Sequence, residues 1–262
     1  MLKKCLIATI FLTLVFSSLS MAQIDKIAIF NELVGWTTVE AAAEATEVIL
    51  ANVTSASSIE VLNDEEMGAF AEANTGDGNL DIIVTFGYWP VSLYPPGNAE
   101  PDGSVGELFL EGGDMIMNTA DYIFYVTQGG GANGDAGLKN MTDSEFDLWT
   151  DNTEIEPTAD GEKYLPSLEP FTSHRAFVIA QVEENPDWEF LAIFGTNGDN
   201  ADPAIIQNLT YGGLVGINHQ VSDDTMPRGP VMAEMIEYIG AIGGSTAVEP
   251  AAKLATSWGA IK

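Results

Sequence analysis

Short apolar runs recur along the first half of the chain and predict buried strands. Residues 27–30 (IAIF) and 58–62 are two of them. Residues 80–86 (LDIIVTF) form a nearly continuous apolar run, which is typical of a parallel strand covered on both faces. Residues 121–127 (DYIFYVT) predict a fourth strand, which ends in a glycine-rich segment.

Amphipathic stretches lie between these runs and predict helices. Thr37 and Glu40 have the spacing of a capping box, and an alanine-rich helix is expected to run from there to about residue 51. Asp64 begins a second predicted helix, and residues 104–118 a third. This order of strands and helices predicts an α/β fold: a doubly wound, mostly parallel sheet with helices on both faces.

The second half of the chain has a less regular pattern. Residues 132–175 are polar and acidic, with a short helix predicted at 144–149. Strands are predicted at the three apolar runs 176–180, 188–194 and 213–218. Pro230 suits the first position of a closing helix that extends to about residue 239.

The two ends of the chain predict export and a short tail. Residues 1–22 resemble a secretory signal: Lys3 and Lys4 precede an apolar stretch, and small residues lead to a cleavage site at Ala22–Gln23. The expected location is therefore secreted, periplasmic or extracellular. We predict a single domain over residues 23–240, followed at 241–262 by a linker and a short amphipathic tail.

Composition and charge exclude several classes of partner. Thirty-nine acidic residues against nine basic ones give a net charge of −30, which repels nucleic acid and anionic membrane surfaces. No stretch after the signal approaches the roughly 20 apolar residues of a membrane span, so membrane insertion is not expected.

Cys5 is the only cysteine and lies within the predicted signal, so the processed chain is expected to have no thiol chemistry.

Two segments carry a resemblance to a known superfamily. Residues 109–126 (FLEGGDMIMNTADYIFYV) and 201–239 resemble the class I glutamine-amidotransferase-like superfamily, and are most similar to its ThuA-like (trehalose-utilisation) proteins. The resemblance implies a flavodoxin-like, three-layer α/β/α scaffold. Amidotransferases of this group use a cysteine on a sharp turn, which would fall near Gln128 and Gly129 here. Because no cysteine is present there, the resemblance implies the scaffold without that chemistry.

Polar and aromatic residues follow several of the predicted strands. In open α/β sheets, ligands bind outside the carboxyl ends of the strands. A crevice with aromatic walls and carboxylates would suit a carbohydrate or another small polar molecule, although such residues also occur in ordinary loops. The candidate ligand-binding residues are Asn31, Glu32, Tyr88, Trp89, Gln128, Gly129, His219 and Gln220.

His219 is the strongest single candidate for chemistry. It follows an apolar strand and precedes Asp223 and Asp224, so a carboxylate-oriented imidazole could act as a general base or bind a metal. If the protein is an enzyme, these three are the expected catalytic residues. A histidine at a strand end is also compatible with a purely structural, hydrogen-bonded role.

A short loop offers oxygen ligands to a cation. Residues 196–202 (TNGDNAD) place Asp199, Asn200 and Asp202 close together, a donor set that suits calcium. The same composition is typical of a simple turn. No other cofactor is expected.

Three functions follow as hypotheses. We favour an exported, non-catalytic module that binds a small polar ligand or a carbohydrate. The alternatives are an exported ThuA-like enzyme acting on a sugar through His219 and an aspartate, and a surface-retained structural or interaction protein held by its tail. The sequence carries no signal for an oligomeric state.

Overall fold

A computed structural model describes residues 24–127 and 131–242, and its centre is a seven-stranded sheet. The strands are β1 (Ile24–Phe30), β2 (Ala56–Val61), β3 (Leu80–Phe86), β4 (Tyr88–Trp89), β5 (Met115–Thr119), β6 (Val126–Thr127), β7 (Gly131–Ala132), β8 (Thr153–Pro157), β9 (Phe171–Ser173), β10 (Phe177–Val178), β11 (Trp188–Ile193), β12 (Gly195–Thr196), β13 (Asn200–Ala201), β14 (Ala204–Asn208) and β15 (Leu214–Asn218). The helices are α1 (Val39–Asn52), α2 (Asp64–Asn74), α3 (Val105–Glu111), α4 (Asp135–Thr142), α5 (Ala159–Tyr164), α6 (Ile179–Glu183) and α7 (Arg228–Ile242).

The large sheet has the order β11-β14-β15-β5-β3-β1-β2. The five strands from β15 to β2 are parallel, and β14 and β11 add an antiparallel hairpin at one edge. In register, Ile27 of β1 lies opposite Ile82 of β3, and Ile83 lies opposite Ile116 of β5. This arrangement confirms the predicted α/β fold class with a doubly wound, mostly parallel sheet.

Each face of the sheet packs against its own helices. Side chains alternate along β3, so Ile82 and Val84 join one hydrophobic cluster while Ile83 joins the other. The first cluster includes residues of α1 and α7, which contact each other, and the second includes residues of α2 and α3. The result is a three-layer core that fixes the positions of the strand ends.

Side-chain caps set where the helices begin. Asn63 caps α2 in a full capping box with Glu66, which agrees with the predicted start at Asp64. The expected box at Thr37 is wrong by one residue: Thr38 is the N-cap of α1, and its side chain accepts from the Ala41 N–H. The Thr37 hydroxyl instead donates to Asp224 at 2.6 Å.

The predicted helix over residues 104–118 is wrong in its second half. Helix α3 ends at Glu111, because Gly112 and Gly113 follow and Gly113 takes a φ of +99°, a conformation that favours glycine. The chain then enters β5, and the predicted strand at 121–127 is mostly a turn that leads into the short β6. The central strand therefore ends at Thr119, eight residues before the predicted end.

The segment expected to be irregular contains helices α4 and α5 and strands β8 and β9. The predicted helix at 144–149 does not form, and the run at 176–180 is divided between β10 and the start of α6. Strand β14 was not predicted at all. In the ranges described, no helix is both long and apolar enough to cross a membrane.

Candidate functional site

The parallel strands all end at one edge of the large sheet, where ligands bind in this class of fold. Strands β1, β3, β5 and β15 end at Phe30, Phe86, Thr119 and Asn218. The chain leaves β1 for β2 on one side and then crosses to β3 on the other, so the strand order reverses between β1 and β3. The loops after these two strands therefore border the expected binding crevice.

Several predicted ligand-binding residues have structural roles at this edge. The Asn31 amide donates to the Thr46 hydroxyl at 3.0 Å, and the Glu32 carboxylate accepts from the Asp64 N–H at 3.1 Å. Trp89 is 1% exposed and packs edge-on against Phe124. These contacts tie loops to helices and to the core. Gln128 and Gly129 lie outside the described residues.

Tyr88, by contrast, belongs to a group of five aromatic rings, which we call the aromatic cluster. Trp36 contacts Tyr88 and Tyr125 edge-on, with ring centroids 5.7 and 6.3 Å apart. Tyr125 and Tyr122 both lie against Trp149, at 5.8 and 5.4 Å. Tyr122 is buried, Trp36, Tyr88 and Tyr125 are half-buried, and Trp149 is 46% exposed. The cluster thus has a buried base and an accessible surface.

Close backbone packing positions Tyr88 within the cluster. The Gly35 N–H donates to the Phe86 carbonyl at 2.9 Å, which joins the loop after β1 to the end of β3. A Cβ at Gly35 would lie 2.2 Å from the Tyr88 ring, and one at Gly87 would lie 2.2 Å from the Gly35 carbonyl oxygen. Only glycines allow the two loops to approach this closely.

Backbone strain is concentrated at the same edge. Four non-glycine residues that follow strand ends take positive φ angles: Trp36 (59°), Ala120 (97°), Phe124 (62°) and His219 (45°). Such conformations cost of order 1–3 kcal/mol each and persist where the surrounding structure enforces them, often at functional sites. The other described non-glycine residues with positive φ are Asn98, Asp143 and Asn152, residue types that adopt this conformation more readily than Trp36, Ala120 or Phe124.

A buried polar network supports the edge from below, centred on Asn118. Its amide oxygen accepts from the Thr85 hydroxyl at 2.9 Å and from the Gly87 N–H at 3.0 Å. Its amide nitrogen donates to the Asp121 carbonyl at 2.7 Å and to Gln220 Oε1 at 3.2 Å. Gln220, a predicted ligand-binding residue, is fully buried and forms part of this network. The network connects the ends of β3, β5 and β15.

His219 is fully buried, with its ring centroid 4.5 Å from that of Phe171. Neither ring nitrogen has a hydrogen-bond partner among the described residues. Burial lowers the pKa of His219 to about 3, and the charge of Arg228 acts in the same direction. The imidazole is therefore neutral at physiological pH.

The carboxylates predicted to assist His219 bind other groups. Asp223 accepts from the N–H and hydroxyl of Thr225, at 2.9 and 2.8 Å. Asp224 accepts from Thr37 and from the Thr38 N–H, and Arg228 Nη1 lies 3.7 Å from its Oδ1. The structure thus places all three candidate catalytic residues near the edge without pairing His219 with either aspartate.

The three candidate calcium ligands differ in exposure. Asp199 is exposed and Asn200 half-buried, whereas Asp202 is completely buried. Asp202 Oδ2 accepts from the Ser173 hydroxyl at 2.7 Å and from the Gln220 N–H at 2.8 Å. Burial raises the pKa of Asp202 to about 6. Asp202 therefore fixes the loop to the core, and the calcium site stays a prediction.

Arg175 lies over the exposed end of the aromatic cluster. Its guanidinium carbon is 4.3 Å from the Trp149 ring centroid, and it forms ion pairs with Asp151 and, at 3.3 Å, with Asp121. Trp149 Nε1 donates to Asp135 at 2.7 Å. Arg175 and Asp135 hold the indole in place, and the two ion pairs offset the positive charge beside it.

A cavity of about 290 Å³ opens at the other end of the aromatic cluster. It is lined by Trp36, Thr37, Thr38, Ser222 and Asp224. A larger one, of about 650 Å³, lies on the helical face between α1, α5 and α7. The smaller cavity is the one that joins the strand ends to the aromatic cluster, and its volume is close to the lower end of the range for small-molecule sites.

Sequence reasoning missed most of the aromatic cluster. Trp36, Tyr125 and Trp149 were not among the candidates, because they lie on loops whose proximity depends on tertiary structure. A signal was available for Trp36, which follows Gly35 shortly after a predicted strand. Asn118 was missed because it fell inside a predicted helix.

Comparisons with known proteins give a distant structural similarity. No family model matches the chain, and no curated protein matches it. Among solved structures, it is similar to a protein from Bacteroides uniformis described as ThuA-like, at 12% sequence identity and a TM-score of 0.48. The match covers 85% of this chain and 91% of that chain. No residue role is carried over from it.

Proposed function

We propose that the protein is an exported, non-catalytic module that binds a carbohydrate or another small polyol on the aromatic cluster. The observation that carries this proposal is the location of the cluster, which lies beside the point where strand order reverses and presents four partly accessible rings. Aromatic rings offer rigid, largely apolar surfaces, and neighbouring carboxylates and hydroxyls offer hydrogen bonds. Both are suited to a sugar ring, which has apolar faces and polar edges.

The state of His219 favours binding over catalysis. A general base must come within hydrogen-bond reach of the proton it removes, and this imidazole is fully buried beneath Phe171. Export is the part of the proposal that rests on sequence alone, because residues 1–22 lie outside the described part of the chain.

Titration of the purified protein with neutral oligosaccharides tests the proposal, with calorimetry and tryptophan fluorescence as readouts. Trp149→Ala and Trp36→Ala should each weaken binding by about tenfold, as expected for loss of a ring in a contact surface. Tyr164→Ala is the matched control, because Tyr164 is a partly buried ring that packs on Tyr238, away from the cluster. Binding that survives both tryptophan changes, or no binding to any saccharide, would refute the proposal.

A further inference from the structure

The cavity beside Trp36 combines an aromatic wall with a carboxylate. Trp36 and Asp224 both line it, together with the hydroxyl-bearing side chains of Thr37, Thr38 and Ser222. The side chain of Asp224 is 39% exposed, so the carboxylate is accessible from solvent. An aromatic face together with a carboxylate is the combination that recognises an ammonium group.

Asp224 is held in its charged form. Its Oδ1 atom accepts hydrogen bonds from Thr37 and from the Thr38 N–H, and the bond from Thr37 is the main reason that its pKa lies below the ordinary value. These bonds also fix the carboxylate next to Trp36, whose backbone is strained at a φ of 59°. The position of the charge relative to the ring is therefore set before any ligand arrives.

Among the residues that the structure describes, no lysine or arginine lines this cavity. Arg228 pairs with Asp224 at 3.7 Å, but its side chain is only 4% exposed and its guanidinium donates to the Val221 and Asp223 carbonyls. Arg228 is not among the residues that line the cavity. The net charge of −30 adds a long-range attraction for cations, which is screened by salt.

We propose that the cavity between Trp36 and Asp224 is a subsite for a protonated amine, so that the protein prefers amine-bearing saccharides to neutral ones. This inference rests on the proposed function and names its ligand class. The ammonium group would lie against the indole and pair with Asp224, while the adjoining sugar rings contact the rest of the aromatic cluster. Uronic-acid and sulfated saccharides would be repelled by the same carboxylate.

Three hexasaccharides of the same β-1,4 backbone test the inference: the glucosamine, N-acetylglucosamine and glucose hexamers. Calorimetry at about pH 5.5 keeps exposed aspartates ionised and glucosamine amines protonated. We expect the glucosamine hexamer to bind at least about fivefold more tightly than the other two, with a preference that shrinks as salt is added.

Variants locate the preference at the cavity. Asp224→Asn keeps an acceptor for Thr37 but removes the charge, and should reduce the preference to less than about twofold. Glu72→Gln, an exposed site on α2, is the matched control and should leave the preference intact. Ser222→Lys places a cation in the cavity without removing the bonds of Asp224, and should also abolish the preference.

The outcomes separate the two proposals. Equal affinities for all three hexamers would overturn the amine subsite and leave the proposed function standing. A preference that persists in both Asp224→Asn and Ser222→Lys would show that it comes from the overall charge, and would also overturn the subsite. A lack of binding to any hexamer would refute both proposals.

Discussion

The carboxylate of Asp114 accepts a hydrogen bond from the backbone N–H of Asp81 at 3.0 Å, in the interior of the protein. Asp81 in turn accepts from the Lys26 N–H at 2.8 Å, so the two acids join the amino-terminal ends of β1, β3 and β5. Asp81 and Asp114 are 0% and 1% exposed, and one oxygen of each has no partner among the described residues. Burial raises the pKa of Asp114 to about 8 and that of Asp81 to about 6.

This pair predicts that the protein loses stability as the pH rises through neutrality. Because the folded-state pKa values lie above the ordinary value near 4, the folded protein binds more protons than the unfolded chain between about pH 4 and pH 8. The stabilising contribution is present below that window and is lost across it. We expect a loss of at least about 2 kcal/mol between pH 5 and pH 8, seen as a melting temperature lower by about 4–8 °C.

Asp114→Asn should flatten this dependence. The amide oxygen of the variant can still accept from the Asp81 N–H. A neutral side chain does not become charged in the protein interior as the pH rises. Thermal melts followed by circular dichroism at pH 5, 6, 7 and 8 measure the effect. Glu72→Gln is the control and should melt in parallel with the unmodified protein. If the melting temperature of Asp114→Asn changes with pH as much as that of the unmodified protein, the carboxyl pair is not the source of the pH dependence.

Because His219 is buried as a neutral imidazole, we expect the protein to lose stability at acidic pH. Its folded-state pKa of about 3 lies below the ordinary value near 6.5, so the unfolded chain takes up a proton first as the pH falls. The stabilising effect of the neutral ring is complete above about pH 6.5 and is lost progressively below it. His219→Leu removes the titrating group and should lower the midpoint of acid unfolding by about 0.5 pH units or more.

The other histidine of the chain supplies the control. The His174 side chain is 31% exposed, and its Nδ1 accepts from the Asn152 N–H. In acid titrations followed by circular dichroism, His219→Leu should therefore unfold at a lower pH than His174→Leu. Equal acid midpoints in the two variants would contradict the assignment.

The sequence predicted the architecture better than the site. The run at 80–86 matched β3 at both ends, because a buried parallel strand has an unmistakable apolar pattern. The predicted helix includes residues 115–118 (MIMN) of β5, since methionine, isoleucine and asparagine are compatible with both states and only Gly112 and Gly113 mark the boundary. That single error moved the predicted strand end away from Asn118.

For His219, the sequence predicted the position in the chain but not the surroundings of the side chain. Its location directly after a strand was predicted, and β15 does end at Asn218. Its positive φ angle and its burial beneath Phe171 depend on contacts between distant segments, which no local pattern encodes. The aromatic cluster depends in the same way on four separate loops.

Asn118→Ala is expected to destabilise the protein and disturb the aromatic cluster together. The change removes four side-chain hydrogen bonds in a fully buried site and leaves the Gly87 N–H and Gln220 Oε1 without their partners. A loss of about 2–4 kcal/mol in the free energy of unfolding follows. Urea titration measures it, and Asn52→Ala, on the exposed face of α1, should cost less than about 1 kcal/mol. Comparable losses in the two variants would show that the network does not carry this stability.

Gly35→Ala, compared with a control of similar stability, should show whether Tyr88 contributes to binding. The added methyl group would lie 2.2 Å from the Tyr88 ring, so the ring must move, while the φ angle of Gly35 is one that alanine can adopt. Because Tyr88 is half-buried, it can swing outward at a cost of about 1–2 kcal/mol in unfolding free energy. Displacing one ring of the aromatic cluster should weaken saccharide binding by about tenfold.

Gly76→Ala is the matched control. It has a positive φ of 67° and nothing within 4 Å of the new methyl group, so it should lose about 1 kcal/mol in the free energy of unfolding and keep full affinity. Calorimetric titrations and urea unfolding of both variants decide the question, and unchanged affinity in Gly35→Ala would remove Tyr88 from the binding surface.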